Sequence, residues 1–96
     1  MDWEVEFYSN IMEQALAVLD NNDEKFIWKC RKIIELMNFL KYSYNKLLVK
    51  NALILILSLF ENHYIGLVTS KPKNLDYFSK QEKKILIDTL KEEFLA

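Results

Sequence analysis

The chain contains neither glycine nor proline between Glu24 and Ile65, and its 96 residues include only one of each. Average frequencies of these residues are roughly 7% and 5%. Sheet proteins of this size need several glycine or proline turns, whereas helices need few. With 51% apolar and 28% charged residues, the composition is typical of a folded domain. The sequence therefore predicts a single all-α domain over residues 1–96.

Residues 2–20 have the spacing of an amphipathic first helix. Apolar side chains recur at steps of three and four, and Asp2 stands where a residue could cap the helix. The stretch ends at the polar cluster Asp20-Asn21-Asn22-Asp23, which we expect to cap the next helix. The apolar positions are Phe7, Tyr8, Ile11, Met12, Ala15, Leu16 and Leu19.

A heptad-like seam with steps of four and three follows. It fits one helix of about forty residues or two helices within 24–62. We favour a break or bend within 43–51, because helices above about 25 residues are uncommon in small domains. The seam consists of Phe26, Cys30, Ile33, Met37, Leu40, Tyr44 and Leu47, with a second track of Ile27, Ile34 and Leu48.

The apolar run Ala52–Phe60 is closed by Lys50 and Glu61, so it is shorter than the roughly 20 residues that span a bilayer. Its leucine-rich composition favours a helix over a strand. We expect it to be a central helix buried nearly all round, not a membrane anchor. After a loop at 66–74, Ser79 and Glu82 match the capping box of a final helix. The predicted fold is a compact bundle of about four helices with a long or bent central helix.

The chain begins with MDWEVEFYSN, which is acidic where a signal peptide would carry positive charge. Cys30 is the only cysteine, so no intramolecular disulfide is expected. Both features favour a cytoplasmic, reducing compartment.

The residues that catalysis usually needs are scarce. His63 is the only histidine, Cys30 falls on the apolar seam, and one glycine cannot build a phosphate-binding loop. We therefore predict no catalytic, cofactor or metal site, and we expect the protein not to be an enzyme.

Charge is distributed unevenly, although the net charge is −1. Residues 1–23 carry six acids and no base, whereas residues 24–60 carry seven bases and two acids. Nucleic-acid binding is a weaker alternative, because a phosphate-binding surface normally has a clear positive excess. The candidate basic face comprises Lys25, Lys29, Lys32, Lys46 and Lys50.

Aromatic residues make up 14% of the chain, more than a core of this size can cover. A surplus of aromatic side chains on helices favours contact with another protein. We predict a protein partner, in a homo- or hetero-oligomer. The candidate interface residues are Trp28, Phe39, Tyr42, Tyr64 and Tyr77.

The order of these segments resembles the helical domain of a GINS subunit, a replication factor of the replicative helicase complex. That family opens with a Phe-Tyr-x-x-aliphatic helix, as Phe7, Tyr8 and Ile11 do here. It continues with spaced basic residues before an aliphatic run, which Lys46, Lys50 and Leu53 to Leu57 resemble. It closes with a loop, an aliphatic or aromatic residue and a Ser/Thr-x-x-Glu helix start, similar to Asn74-Leu75, Phe78, Ser79 and Glu82.

The resemblance implies a non-catalytic scaffold that packs its helical domain against other subunits and joins the helicase ring to a partner. It covers the helical domain of the family and not its small β domain. The alternative is a small stand-alone helical adaptor or homo-oligomer, of the kind that viruses and plasmids encode, which binds a host protein.

Overall fold

The computed structural model describes residues 2–21, 23–60 and 78–95, and these residues form four helices without a strand. The predicted all-α bundle is therefore confirmed. Within the described ranges, no helix combines the length and apolar character that crossing a bilayer requires. The helices are α1 (Trp3–Leu19), α2 (Phe26–Ser43), α3 (Lys46–Phe60) and α4 (Lys80–Phe94).

Helices that are consecutive in the chain alternate in direction. The rings of Phe7 and Tyr44 lie 4.6 Å apart, so the start of α1 is next to the end of α2. The rings of Phe26 and Phe78 lie 5.3 Å apart, so α4 begins beside the start of α2. The pair α2–α3 forms the middle of the bundle, and α1 and α4 each pack against both of its helices.

All four helices contribute to one hydrophobic core. Asn51 on α3 also donates a hydrogen bond of 3.2 Å to the Tyr8 hydroxyl on α1, a polar contact beside this core. The largest fully buried side chains are Met12, Leu19, Ile33, Met37, Leu40, Leu53, Ile56, Leu59, Leu86 and Leu90.

Two of the predicted helix caps are confirmed. The Asp2 carboxylate accepts a 3.1 Å hydrogen bond from the Glu4 amide. The Ser79 hydroxyl accepts from the Glu82 amide at 3.1 Å, and the Glu82 carboxylate accepts from the Ser79 amide at 3.0 Å. This reciprocal pair is the predicted capping box, and it satisfies two of the backbone amides that a helix start leaves without partners.

The predicted break in the central segment is also confirmed, at Tyr44 and Asn45. The Asn45 side chain accepts a 3.0 Å hydrogen bond from the Leu48 amide, which is the contact of an N-cap residue. The break changes the rotational phase of the chain, so the seam does not continue into α3 as expected. Leu47 is 66% exposed and Tyr44 39% exposed, whereas Leu48 is buried.

The apolar run is buried nearly all round, as expected: six of the nine residues of Ala52–Phe60 are buried, and Ile54 is 46% exposed. Two further expectations were wrong. Ile27, placed on the second apolar track, is 71% exposed. The N-cap of α2 is Lys25, which lies outside the polar cluster, and the Asn21 side chain accepts a hydrogen bond from the Asp23 amide at 3.0 Å. The predicted loop at 66–74, His63 and the aromatic residues Tyr64 and Tyr77 lie outside the described residues.

Candidate functional site

The face of α2 that points away from the core carries a second set of residues at heptad spacing. Starting from the N-cap residue, successive members are three or four positions apart, so they line one stripe of the helix. We call this stripe the outer seam. It consists of Lys25, Trp28, Lys32, Glu35, Phe39 and Tyr42.

Two aromatic side chains at the C-terminal half of the outer seam are open to solvent. Tyr42 is 92% exposed and Phe39 is 61% exposed, whereas Trp28, nearer the N-terminus, is partly buried. An aromatic side chain removes roughly 150–250 Å² of its own surface from water when it is buried, and such side chains are enriched at protein interfaces. Three of the five predicted interface residues therefore lie on one stripe of one helix.

The middle of the outer seam is polar and internally connected. The Lys32 ammonium lies 5.2 Å from the centre of the Trp28 ring and 3.5 Å from a carboxylate oxygen of Glu35. The side chains of Lys32 and Glu35 remain 40% and 58% exposed. These contacts place a positive and a negative charge side by side, with Trp28 before them and Phe39 and Tyr42 after them along the stripe.

Lys29 does not belong to a basic face, and this prediction was wrong. Its side chain is only 4% exposed, and its ammonium donates a 2.7 Å hydrogen bond to the carbonyl oxygen of Leu19. The ammonium also lies 5.2 Å from the centre of the buried Phe78 ring. Lys29 therefore joins α1, α2 and the start of α4 from inside the bundle and cannot contact a phosphate.

The remaining lysines of the predicted basic face separate into two groups. Lys25 and Lys32 lie on the outer seam, whereas Lys46 and Lys50 line a pocket of about 420 Å³ together with Lys41. No ion pair involving these three pocket lysines occurs among the described residues. The other residues that line the pocket are Tyr44, Val49, Glu93, Phe94 and Leu95. Such a lining suits an acidic group next to an apolar one.

Cys30 is half-buried against the core. Burial raises the pKa of its thiol from 9.0 to about 11, and the negative charge of Glu82 adds to the increase. Because the thiolate is the reactive form, a thiol protonated at neutral pH is a weak nucleophile. In the part of the chain that the structure describes, no group of three or more His, Cys, Asp or Glu side chains could hold a metal ion.

Sequence reasoning identified the aromatic members of the outer seam but not the seam itself. Its spacing of three and four was present in the sequence, yet Lys32 and Glu35 occupy its centre and a search for apolar repeats passes over them. Glu35 was missed altogether. A search for heptad spacing that admits paired opposite charges would have found the complete stripe.

Comparison of the chain with protein-family models, with curated proteins and with solved structures finds no match. The resemblance to a GINS subunit stays a prediction.

Proposed function

We propose that this protein is a non-catalytic interaction module that binds another protein chain through the outer seam of α2. The observation that carries the proposal is the exposure of Phe39 and Tyr42 on one helix, 61% and 92% respectively. Large aromatic side chains that stay in water on a helix gain free energy when a partner covers them. The helix also presents them in a fixed geometry, so little conformational entropy is lost on binding.

The charges of the described residues favour a protein partner over nucleic acid. Lys29 is buried and cannot reach a phosphate, and the charge of Lys32 is offset by Glu35 at 3.5 Å. Nucleic-acid affinity depends mainly on neutralising phosphates with clustered basic side chains. The outer seam carries three aromatic side chains beside two lysines and one glutamate, and enrichment in aromatic side chains is typical of a protein interface.

Two kinds of module fit this proposal. A GINS-type subunit would use the outer seam to hold a neighbouring subunit of the helicase complex, whereas a stand-alone adaptor would use it to hold one host protein or a second copy of itself. The partner that is bound decides between them.

The proposal is tested by affinity capture of the tagged chain from its native cell extract, with mass spectrometry of the bound proteins. The test variant is Phe39→Ser with Tyr42→Ser, and the matched control is Ile85→Ser, which removes an apolar side chain on α4 that is 50% exposed. We expect the control to retain the partner that the unchanged chain binds. We expect the double variant to lose at least about tenfold of it, because central aromatic residues dominate binding energy.

Equal capture by the double variant and the control would contradict the proposal. Recovery of helicase subunits with a GINS-like chain, lost in the double variant, would support the replication scaffold. Recovery of one unrelated protein, or only of further copies of the chain, would exclude that scaffold and leave the adaptor.

A further inference from the structure

We infer that the partner of the outer seam is a second copy of this chain, whose α2 lies antiparallel to the first across a two-fold axis. The inference rests on the proposed function and adds the identity of the partner. It comes from the order of residues along the outer seam. When two copies of the seam lie side by side in opposite directions, each residue faces one whose chemistry complements it.

In antiparallel coiled coils, residues of the two alternating seam positions face each other in layers. With Lys32 opposite Glu35 of the second copy, the heptad spacing fixes every other layer. Trp28 then faces Phe39 of the second copy, and Lys25 faces Tyr42 of the second copy. The two-fold axis repeats each of these layers, so the interface has six.

The two central layers pair opposite charges. Lys32 and Glu35 are already 3.5 Å apart within one helix, so the axis brings two lysines and two glutamates together in a neutral group. A parallel arrangement would instead place Lys32 against Lys32 and Glu35 against Glu35. Like charges opposed across an interface are unfavourable, so the charges select the antiparallel orientation.

The outer layers are aromatic. Trp28 against Phe39 of the second copy is an aromatic ring pair, which is attractive beyond the apolar area that it buries. Lys25 against Tyr42 of the second copy brings an ammonium to the face of an aromatic ring, where the ring electrons attract it. Each aromatic member of the outer seam therefore meets a chemical group that suits it.

The available area is enough for a weak dimer. α2 has 18 residues and is about 27 Å long at 1.5 Å per residue. Phe39 and Tyr42 alone offer roughly 600 Å² over two copies, at about 200 Å² for a fully exposed ring. Trp28 and the stems of the seam lysines add to this area and bring it close to the roughly 1,000 Å² of a specific interface. We therefore expect an association that depends on protein concentration.

The inference is tested by sedimentation equilibrium of the full chain over about 1 to 100 µM, a range suited to an interface at the small end of the size classes. Three variants change only the central charges: Glu35→Lys, Lys32→Glu, and both together. The control is Lys84→Glu, which reverses one charge of the exposed Lys84–Asp88 pair on α4. Circular dichroism confirms that each variant keeps its helices.

We expect a dimer for the unchanged chain and for the control. Each single reversal turns both central layers repulsive and raises the dissociation constant at least about tenfold. The double variant restores the opposite charges and returns the constant to within about threefold of the original value. An equimolar mixture of the two single variants forms a heterodimer, because positions 32 and 35 are then both basic in one chain and both acidic in the other.

A monomer throughout the concentration range would overturn the inference, as would a dimer that the single reversals leave unchanged or that the double variant fails to restore. The proposed function fails differently, when Phe39→Ser with Tyr42→Ser captures as much partner as its control. A monomeric chain that still loses a captured protein in that variant would disprove the dimer and keep the interaction module.

Discussion

A residue from another helix donates a hydrogen bond to the C-terminal end of α1. The last carbonyl oxygens of a helix have no partner within it and carry partial negative charge. α1 has no basic residue in its last turn, and the ammonium of Lys29 on α2 donates to the Leu19 carbonyl at 2.7 Å. Because Lys29 is buried, water does not replace this contact easily. The Lys29 side chain therefore gives the Leu19 carbonyl a hydrogen-bond donor and also joins α1 to α2.

Lys29→Met keeps much of the side-chain volume but removes the ammonium. We expect the free energy of unfolding to fall by roughly 1.5–3 kcal/mol, the usual contribution of a hydrogen bond to a charged group. Urea unfolding followed by circular dichroism measures the change. The matched control is Lys84→Met, whose side chain is 74% exposed, with an expected change within about 0.5 kcal/mol. Equal losses in the two variants would contradict this role of Lys29.

At the scale of the element, the start of α2 differs from the starts of the other helices. α1 and α4 begin at Asp2 and Ser79, which accept hydrogen bonds from backbone amides, whereas the N-cap of α2 is Lys25, which makes no side-chain capping bond. A positive charge at this end also opposes the helix dipole. A residue that lowers stability where it stands, such as a lysine at an N-cap, often has a functional role. In the proposed dimer, Lys25 meets Tyr42 of the second copy.

Lys25→Ser introduces a favourable cap and removes the charge. We expect it to raise the free energy of unfolding by about 1 kcal/mol while it weakens self-association several-fold, since Tyr42 loses its cation. Urea unfolding and sedimentation equilibrium measure the two effects. Lys25→Ala is the control, because it removes the charge without adding a cap. If Lys25→Ser were no more stable than Lys25→Ala, the capping argument would be wrong.

Local chemistry explains which features could be predicted from the sequence. The caps at Asp2 and Ser79 and the break near Asn45 depend on residues within three or four positions of each other. The contact of Lys29 depends on where the end of α1 lies in space, ten positions away in the chain. The exposure of Leu47 depends on the phase change at the break. These two features follow from the packing of the helices, which spacing alone does not determine.

At the scale of the whole molecule, helices distant in sequence share one core. Leu53 on α3 is fully buried, as are Met12 on α1, Met37 on α2 and Leu90 on α4. Because α1 and α4 pack on the same central pair, loss of the contacts around α3 weakens every other helix. We therefore predict that the chain unfolds as one cooperative unit, in keeping with the single domain expected over 1–96.

Leu53→Ala tests this cooperativity. We expect a loss of about 2–5 kcal/mol, the range for truncating a buried leucine, with one transition that coincides in tryptophan fluorescence and far-ultraviolet circular dichroism. The control is the neighbouring Ile54→Ala, at a side chain that is 46% exposed, where we expect a loss below about 1 kcal/mol. Separate transitions for the two probes would show that the predicted single domain is wrong.

Because the ammonium of Lys29 is buried, its rate of chemical modification reports how often α1 and α2 separate. Reagents that acylate amines reach exposed lysines outside the outer seam, such as Lys41, Lys46 and Lys84, directly, whereas Lys29 becomes available only when α1 and α2 separate. The ratio of acylation at Lys29 to that at these exposed lysines therefore counts how often this helix pair opens under native conditions. Peptide mass spectrometry of the folded chain, without any substitution, would read this frequency.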